Sequence, residues 1–285
     1  NIRFSLRKIG KFYPAYLLAF LLAFLLRNLV AFGNDAGETL LNGLFTGGEI
    51  FLQAAAGVPC QRMHQDIPKQ FLNVFDKPII VYTMQAFQNH PEIDAIEIVC
   101  IDGWHDVLRA YAKQFGIAKL ENIVSGGKNG QDSIRNGLED IHSRHHEEDD
   151  IVLIHDAIRP MVSEKIISDN IRVCRANGNA ITVVPCTAAM LKTYDSFSST
   201  EQIARDNLKI TQTPQAFFVN EIMASHKQAL EMGITNSVAS CTMYIEMGKK
   251  LYLSDGSEKN IKITTTEDVE IFKALLKAKK NEWLH

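Results

Sequence analysis

The run Ile151-Val152-Leu153-Ile154-His155-Asp156 ends in a carboxylate, and Arg159 follows three positions later. An apolar run of this kind suits a buried strand of a parallel sheet. It would deliver Asp156 at the strand's carboxyl end, on the side where such sheets bind ligands. A carboxylate there can hold Mg2+ between phosphate oxygens. Arg159 suits a phosphate or a neighbouring acid equally, and Asp156 also suits the capping of a following turn. Upstream, Ala56-Gly57 opens a loop of small residues after another apolar run, with Arg62 and Lys69 placing two cations beside it. Small residues let backbone N–H groups approach phosphates closely. Surface cations also serve simply as a solvated face.

Three further segments carry polar groups in telling places. Gly126-Gly127-Lys128-Asn129-Gly130-Gln131-Asp132-Ser133 reads as a tight turn into a helix, with Ser133 in its first turns. A plain strand–helix connection has the same appearance. Gln212-Thr213-Pro214-Gln215-Ala216-Phe217 and Asn260-Ile261-Lys262-Ile263-Thr264 complete the set. Lys262 sits in an apolar, strand-like context, where an ammonium calls for an anionic partner.

These residues need a scaffold, and the pattern from residue 49 onward supplies one. Short apolar runs at 49–54, 95–101, 122–125, 150–155, 180–185 and 250–254 read as strands. Amphipathic stretches at 79–89, 104–115, 130–141, 163–176, 220–232 and 266–279 read as helices. Such alternation predicts an α/β fold with a doubly wound, mostly parallel sheet and helices on both faces. The stretch from about 187 to 212 is polar and breaks the rhythm, as a projecting functional arm would.

Composition narrows the class. Of 285 residues, 46% are hydrophobic and 22% charged, ordinary for a globular protein. A net charge of −3 gives no basic field for a nucleic-acid partner. The five cysteines are scattered with no C-x-x-C pair, which fits a reducing cytoplasm better than a disulfide framework. His142, His145 and His146 beside residues 147–150 read as a solvated loop before a strand.

Taken in order, the motifs resemble the family of methylerythritol-phosphate and ribitol-phosphate cytidylyltransferases, over roughly residues 50 to 280. The matching pieces are Arg62-Met63, Pro68-Lys69-Gln70-Phe71, Gly126-Gly127 with Ser133 and Gly137-Leu138, His155-Asp156 with Arg159-Pro160, Arg205 before Gln212-Thr213-Pro214-Gln215, and Asn260-Ile261-Lys262-Ile263-Thr264. The resemblance implies a nucleotide-diphospho-sugar transferase type of Rossmann-like fold. It also implies transfer of CMP from CTP to a polyol phosphate, ribitol 5-phosphate or 2-C-methyl-D-erythritol 4-phosphate, with pyrophosphate released. By the family pattern Arg62, Lys69 and Lys262 are catalytic. Ala56, Gly57, Gly127, Ser133, Asp156 and Ala157 bind CTP, Gly127 and Ser133 reading the cytosine. Arg159, Arg205, Thr213 and Thr235 bind substrate, and Asp156 holds Mg2+ or another divalent cation. The arm implies a homodimer, with Arg205 serving the neighbouring subunit's site. Arg205-Asp206-Asn207 and Trp104 lean the resemblance towards the ribitol type.

The chain departs from the pattern in the glycine-rich loop, where the family has A-G-G-x-G-x-R-M. Val58, Pro59 and Cys60 follow Gly57 here, and Pro59 removes an N–H donor. Gly130, Ala188 and Asn236 are smaller departures. A non-catalytic nucleotide-binding relative with a damaged phosphate loop is therefore the alternative expectation. Residues 1–48 are also atypical. Arg3, Arg7, Lys8 and Lys11 precede an apolar run over 15–26, which reads as a signal or anchor, as a packed helix, or as a segment foreign to the domain at 49–285. The run is short for a membrane span. The third reading has a codon-level basis. Phe51-Leu52-Gln53-Ala54-Ala55 can be encoded so that a shifted frame reads Ala-Gly-Gly, which would place residues 1 to about 60 out of frame. A membrane association then falls away.

Overall fold

The structure is a computed structural model that describes residues 50–56 and 67–282, with side chains over 67–279. All of them lie in the unit Gly48–His285. Gly57, Arg62 and the apolar run at 15–26 fall outside the described residues.

A seven-stranded sheet forms the centre, in the order β11-β7-β10-β6-β1-β4-β5. Its strands are β1 (Ile50–Ala56), β4 (Ala95–Cys100), β5 (Leu120–Ser125), β6 (Ile151–Asp156), β7 (Asn179–Pro185), β10 (Lys209–Phe218) and β11 (Leu253–Asp255). Pairing is parallel except along β10, which runs antiparallel to both β6 and β7. Two short ladders stand apart: β2 (Asn73–Val74) with β3 (Lys77–Pro78), and β8 (Met190–Lys192) with β9 (Glu201–Ile203).

The side-chain alternation of β6 explains the layers. Ile151 and Leu153 join one core with Met84 and Phe87 of α1 (Ile79–Gln88), Leu108 of α2 (His105–Gln114), and Ile167 and Ile171 of α4 (Glu164–Asn177). Val152 and Ile154 face the other way. There they meet Leu138 of α3 (Gly130–Arg144), Ile222 of α5 (Val219–Glu231) and Met243 of α6 (Ser240–Glu246). Both faces of β6 are thus dry, and its apolar run follows from that. A smaller cluster joins Ile158 and Ile263 to Phe272 of α7 (Thr266–Glu282). Helix starts follow local rules: Asn129 caps α3 by accepting from Asp132 N at 2.9 Å, and Ser163 caps α4.

Two expectations change. The stretch from about 187 to 212 is not irregular throughout. It holds the β8–β9 hairpin, and its last residues belong to the sheet, with Lys209 opposite Pro185. Residues 209–218 escape a strand reading because Pro214 sits in them, and proline cannot donate to a ladder. The structure accommodates it by a break in register between Thr211 and Gln215, where the Thr213–Pro214 peptide is cis. Lys262 is likewise not in a strand. The segment after β11 is irregular and tied by a bond from Ile263 N to Ile158 O at 2.9 Å.

Candidate active site

Asp156 emerges at the carboxyl end of β6, as its position after a buried strand requires. Two cations hold it. Lys262 Nζ donates to Oδ1 at 2.9 Å, and Arg159 Nε donates to Oδ2 at 2.9 Å. Burial pushes the carboxyl up, but Lys262 and Arg159 more than offset this and hold it below the ordinary aspartate range. Asp156 is therefore an anion at neutral pH. Thr213 joins from β10, its hydroxyl accepting from the Asp156 backbone N–H at 3.0 Å. Ala157, next along, is buried, and its carbonyl accepts from Thr83 on α1 at 2.8 Å. Arg159 also donates to the carbonyl of Asn260 at 2.8 Å, which anchors the segment carrying Lys262.

His155 is not a base for this site. Its ring is buried against Phe87 and its Nε2 lies 3.1 Å from the Arg159 carbonyl. Burial, above all, lowers it to about 4, so it is neutral.

A second group forms where β5 meets α3. The Gly127 N–H donates to Ser133 Oγ at 2.9 Å, and that hydroxyl donates to the Asn129 carbonyl at 2.8 Å. A Cβ on Gly127 would lie 2.4 Å from Asp132 Cβ and 2.7 Å from its backbone carbon, so only glycine fits. Thr235 is brought to the same corner, its carbonyl accepting from Asn129 Nδ2 at 3.2 Å. Gln131 secures that loop by donating to the Ile234 carbonyl and accepting from Ser237 N, both at 2.8 Å. No motif in the sequence points to Gln131. A glutamine in a helix's first turn normally faces water, and nothing in the local pattern shows that this one is buried.

Lys69 stands in a 3-10 turn, Lys69–Phe71, whose Phe71 ring stacks on Trp104 at 4.4 Å between centroids. The backbone of Ala56 ends β1 opposite Cys100, and Ala55 lies opposite Asp156. The carboxyl end of β1 thus lies beside that of β6. Arg205 is held in the arm, donating to the Thr187 carbonyl at 2.7 Å. The structure therefore joins Asp156, Arg159, Thr213 and Lys262 in one cluster and Gly127, Ser133 and Thr235 in another, while Arg205 bonds within the arm.

Among the described residues, no group of three or more His, Cys, Asp or Glu side chains could jointly hold a metal ion. Nor is any helix among them long and apolar enough to cross a membrane. A divalent ion at Asp156 would have to draw its other ligands from phosphate oxygens and displace Lys262 or Arg159 from the carboxylate.

A mostly parallel sheet with cations and one carboxylate at its carboxyl edge suits the binding of phosphates, as a nucleotidyltransferase requires. Comparison with known proteins makes this specific. The family described as IspD: 2-C-methyl-D-erythritol 4-phosphate cytidylyltransferase matches residues 50–278, and the chain belongs to it. A ribitol-5-phosphate cytidylyltransferase of Lacticaseibacillus paracasei is 40% identical over 226 residues, covering 79% of this chain and 96% of the relative. A 2-C-methyl-D-erythritol 4-phosphate cytidylyltransferase of Clostridium botulinum is 37% identical over 218 residues, covering 76% and 92%. In fold, the chain is similar to 4-diphosphocytidyl-2C-methyl-D-erythritol synthase from Anaerococcus prevotii, with a TM-score of 0.69 at 23% identity, covering 83% of this chain and 99% of that one. The reaction of this class is CTP-dependent transfer of a cytidylyl group to a polyol phosphate.

Proposed function

We propose that the acceptor is ribitol 5-phosphate and the products are CDP-ribitol and pyrophosphate. The observation that favours it is likeness in sequence: the ribitol-5-phosphate relative matches more of this chain, at higher identity, than the methylerythritol relative does. The Asp156–Arg159–Lys262 cluster suits the chemistry. The nucleophile is an acceptor phosphate oxygen, largely ionised near neutral pH because its second pKa is about 6. No side chain need take a proton from it. A bond forms from that oxygen to the α-phosphorus of CTP, and the bond from the α-phosphorus to the bridging oxygen breaks. Pyrophosphate leaves with the electron pair.

The obstacle is the approach of one anion to another. Lys262 and Lys69, with Arg62, supply the compensating charge and position the reactants. Asp156 would hold Mg2+, which when bound neutralises phosphate charge. Gly127 and Ser133 fix the turn that reads the base. Arg205 belongs with the arm, whose Leu191, Tyr194 and Phe197 are exposed apolar groups suited to a second copy of this chain.

The test is to supply the purified chain with CTP and each acceptor and to measure pyrophosphate. Release at least about 10-fold faster with ribitol 5-phosphate supports the reading, since a site built to bind one polyol discriminates by at least about 1.4 kcal/mol. A preference for the methylerythritol acceptor overturns the choice of acceptor. CTP binding with no pyrophosphate from either acceptor overturns the catalytic reading in favour of a nucleotide-binding chain.

A further inference from the structure

Behind the Asp156 cluster lies a buried pair of amides that no step of the reaction uses. Asn260 is fully buried and Gln212 nearly so. Asn260 Nδ2 donates to the Thr213 carbonyl at 2.9 Å and to Gln212 Oε1 at 3.2 Å. Gln212 Nε2 donates to the Ser257 carbonyl at 2.9 Å, and its Oε1 accepts from Ser257 N at 3.3 Å. The packing leaves no slack. A Cβ on Gly256 would lie 2.6 Å from Gln212 Oε1 and 3.0 Å from the Val183 carbonyl. The backbone of Asn260 faces the site, where its carbonyl accepts from Arg159 Nη1 at 2.8 Å. Lys262 follows two residues later.

We propose that Asn260, braced by Gln212, is the positioning residue of the site: it fixes Thr213 and the 257–263 segment relative to each other, so that Arg159 and Lys262 converge on Asp156. Two of the three groups around Asp156 sit on backbone that this pair holds, and the third leans its guanidinium on that backbone. Thr213 hangs on the amide through its carbonyl. Arg159 rests on the Asn260 carbonyl. Lys262 extends from the same segment. That segment is irregular, with one backbone bond to the rest of the site, from Ile263 to Ile158, so the amide pair supplies the rigidity that a strand would otherwise give. The placement explains why two amides, and no charged group, are buried here: they tie three carbonyl and N–H groups together without altering the charge that reads the phosphates.

This inference rests on the proposed transfer reaction, and the experiment separates the two. Asn260→Ala should lower kcat about 10-fold or more, while KM for CTP changes less than about 3-fold, because the turn that reads the base is on other elements. In an Arg159→Ala background the same change should cost less, since the share of positioning that runs through Arg159 is already lost. An unchanged kcat, or an equal loss in both backgrounds, overturns the proposal. Asn260→Asp guards against misfolding of the alanine variant. Its carboxyl can donate to the Thr213 carbonyl only when protonated, and as a carboxylate it faces two carbonyl oxygens. Its activity relative to wild type should therefore fall several-fold between about pH 6 and about pH 9, and a flat ratio overturns the proposal. If wild type releases no pyrophosphate from CTP, the functional reading has failed. Positioning is then judged from crystal structures of wild type and Asn260→Ala. Loss of the Lys262–Asp156 contact in the variant supports it, and an unmoved segment overturns it.

Discussion

Lys262 and Asp156 are 106 positions apart in the chain and meet at 2.9 Å. Lys262 is exposed, yet its ammonium is turned inward onto a carboxylate that Arg159 also holds. The anion is thus fixed before any phosphate arrives, which is the preorganisation that phosphate chemistry rewards.

Asp156→Asn tests that arrangement. The amide keeps the shape but leaves Lys262 and Arg159 facing each other without an anion. Turnover should fall about 100-fold or more, the usual scale for one preorganised electrostatic group. Pyrophosphate release at saturating CTP measures it, and a near-normal rate would remove Asp156 from the mechanism. Lys69→Ala should cost a similar factor with the melting temperature little changed.

Gly127→Ala is a steric test of the turn proposed to read the base. Its Cβ has no room beside Asp132, so the turn must open and the bond to Ser133 must lengthen. KM for CTP should rise about 10-fold, with about 1–3 kcal/mol lost in stability, the usual scale for overpacking. Equilibrium unfolding and CTP titration read the two effects separately.

Acid should unfold the chain through two histidines. Burial lowers His155 to about 4 and His226 to about 4, so both are neutral when folded. The unfolded chain takes up these protons below about pH 6.5, whereas the folded chain resists until about pH 4. Stability is therefore complete above the upper value and is lost as pH falls through the window, by about 1.4 kcal/mol per pH unit for each group. His226→Leu should flatten the slope by one group's share, because both ring nitrogens of His226 are buried without a partner and the substitution strands nothing. A denaturant series across pH decides it.

Glu97 works in the opposite sense. Burial, together with Asp140, pushes it up to about 10, although Arg144 donates to it at 2.7 Å. The folded chain then keeps a proton that the unfolded chain releases above about pH 4.3, so this group's contribution declines as pH rises. Glu97→Gln should be stabilising relative to wild type, and increasingly so towards pH 9. A variant that is less stable at every pH would show that Glu97 is ionised in a true pair with Arg144.

The arm predicts its own outcome. Phe197 is 96% exposed and Tyr194 81%, an unusual cost for a lone chain. Phe197→Asp should shift a dimer towards monomer in sedimentation, with activity falling alongside if Arg205 serves a neighbouring site. A monomeric wild type would end the dimer proposal.

Much of this was legible in the residues, for definite reasons. Asp156 and Arg159 could be placed because a dry strand on both faces writes a continuous apolar run and the carboxylate ends it. The helices were legible from their periodicity. Lys262 could be assigned an anionic partner but not this one, since nothing local encodes a contact at that separation; only the resemblance linked them. Strand β10 was hidden by Pro214 and by the polar groups of Gln212, Thr213 and Gln215, which belong to the site as much as to the sheet. Gln131 and Asn260 were hidden because burial of an amide is decided by what packs over it.

Strand β10 also dictates when the site can exist. It enters the sheet antiparallel between β6 and β7, after the arm, and Lys262 comes later still. Contacts that close such long loops cost chain entropy and form late. During synthesis, β6 and Asp156 emerge long before their partners. A ribosome-bound chain ending before Asn260 would carry the carboxylate without the cation and amide that arrange it. The site is therefore assembled only once the segment beyond Asn260 has left the ribosome, well after the strand that carries its carboxylate.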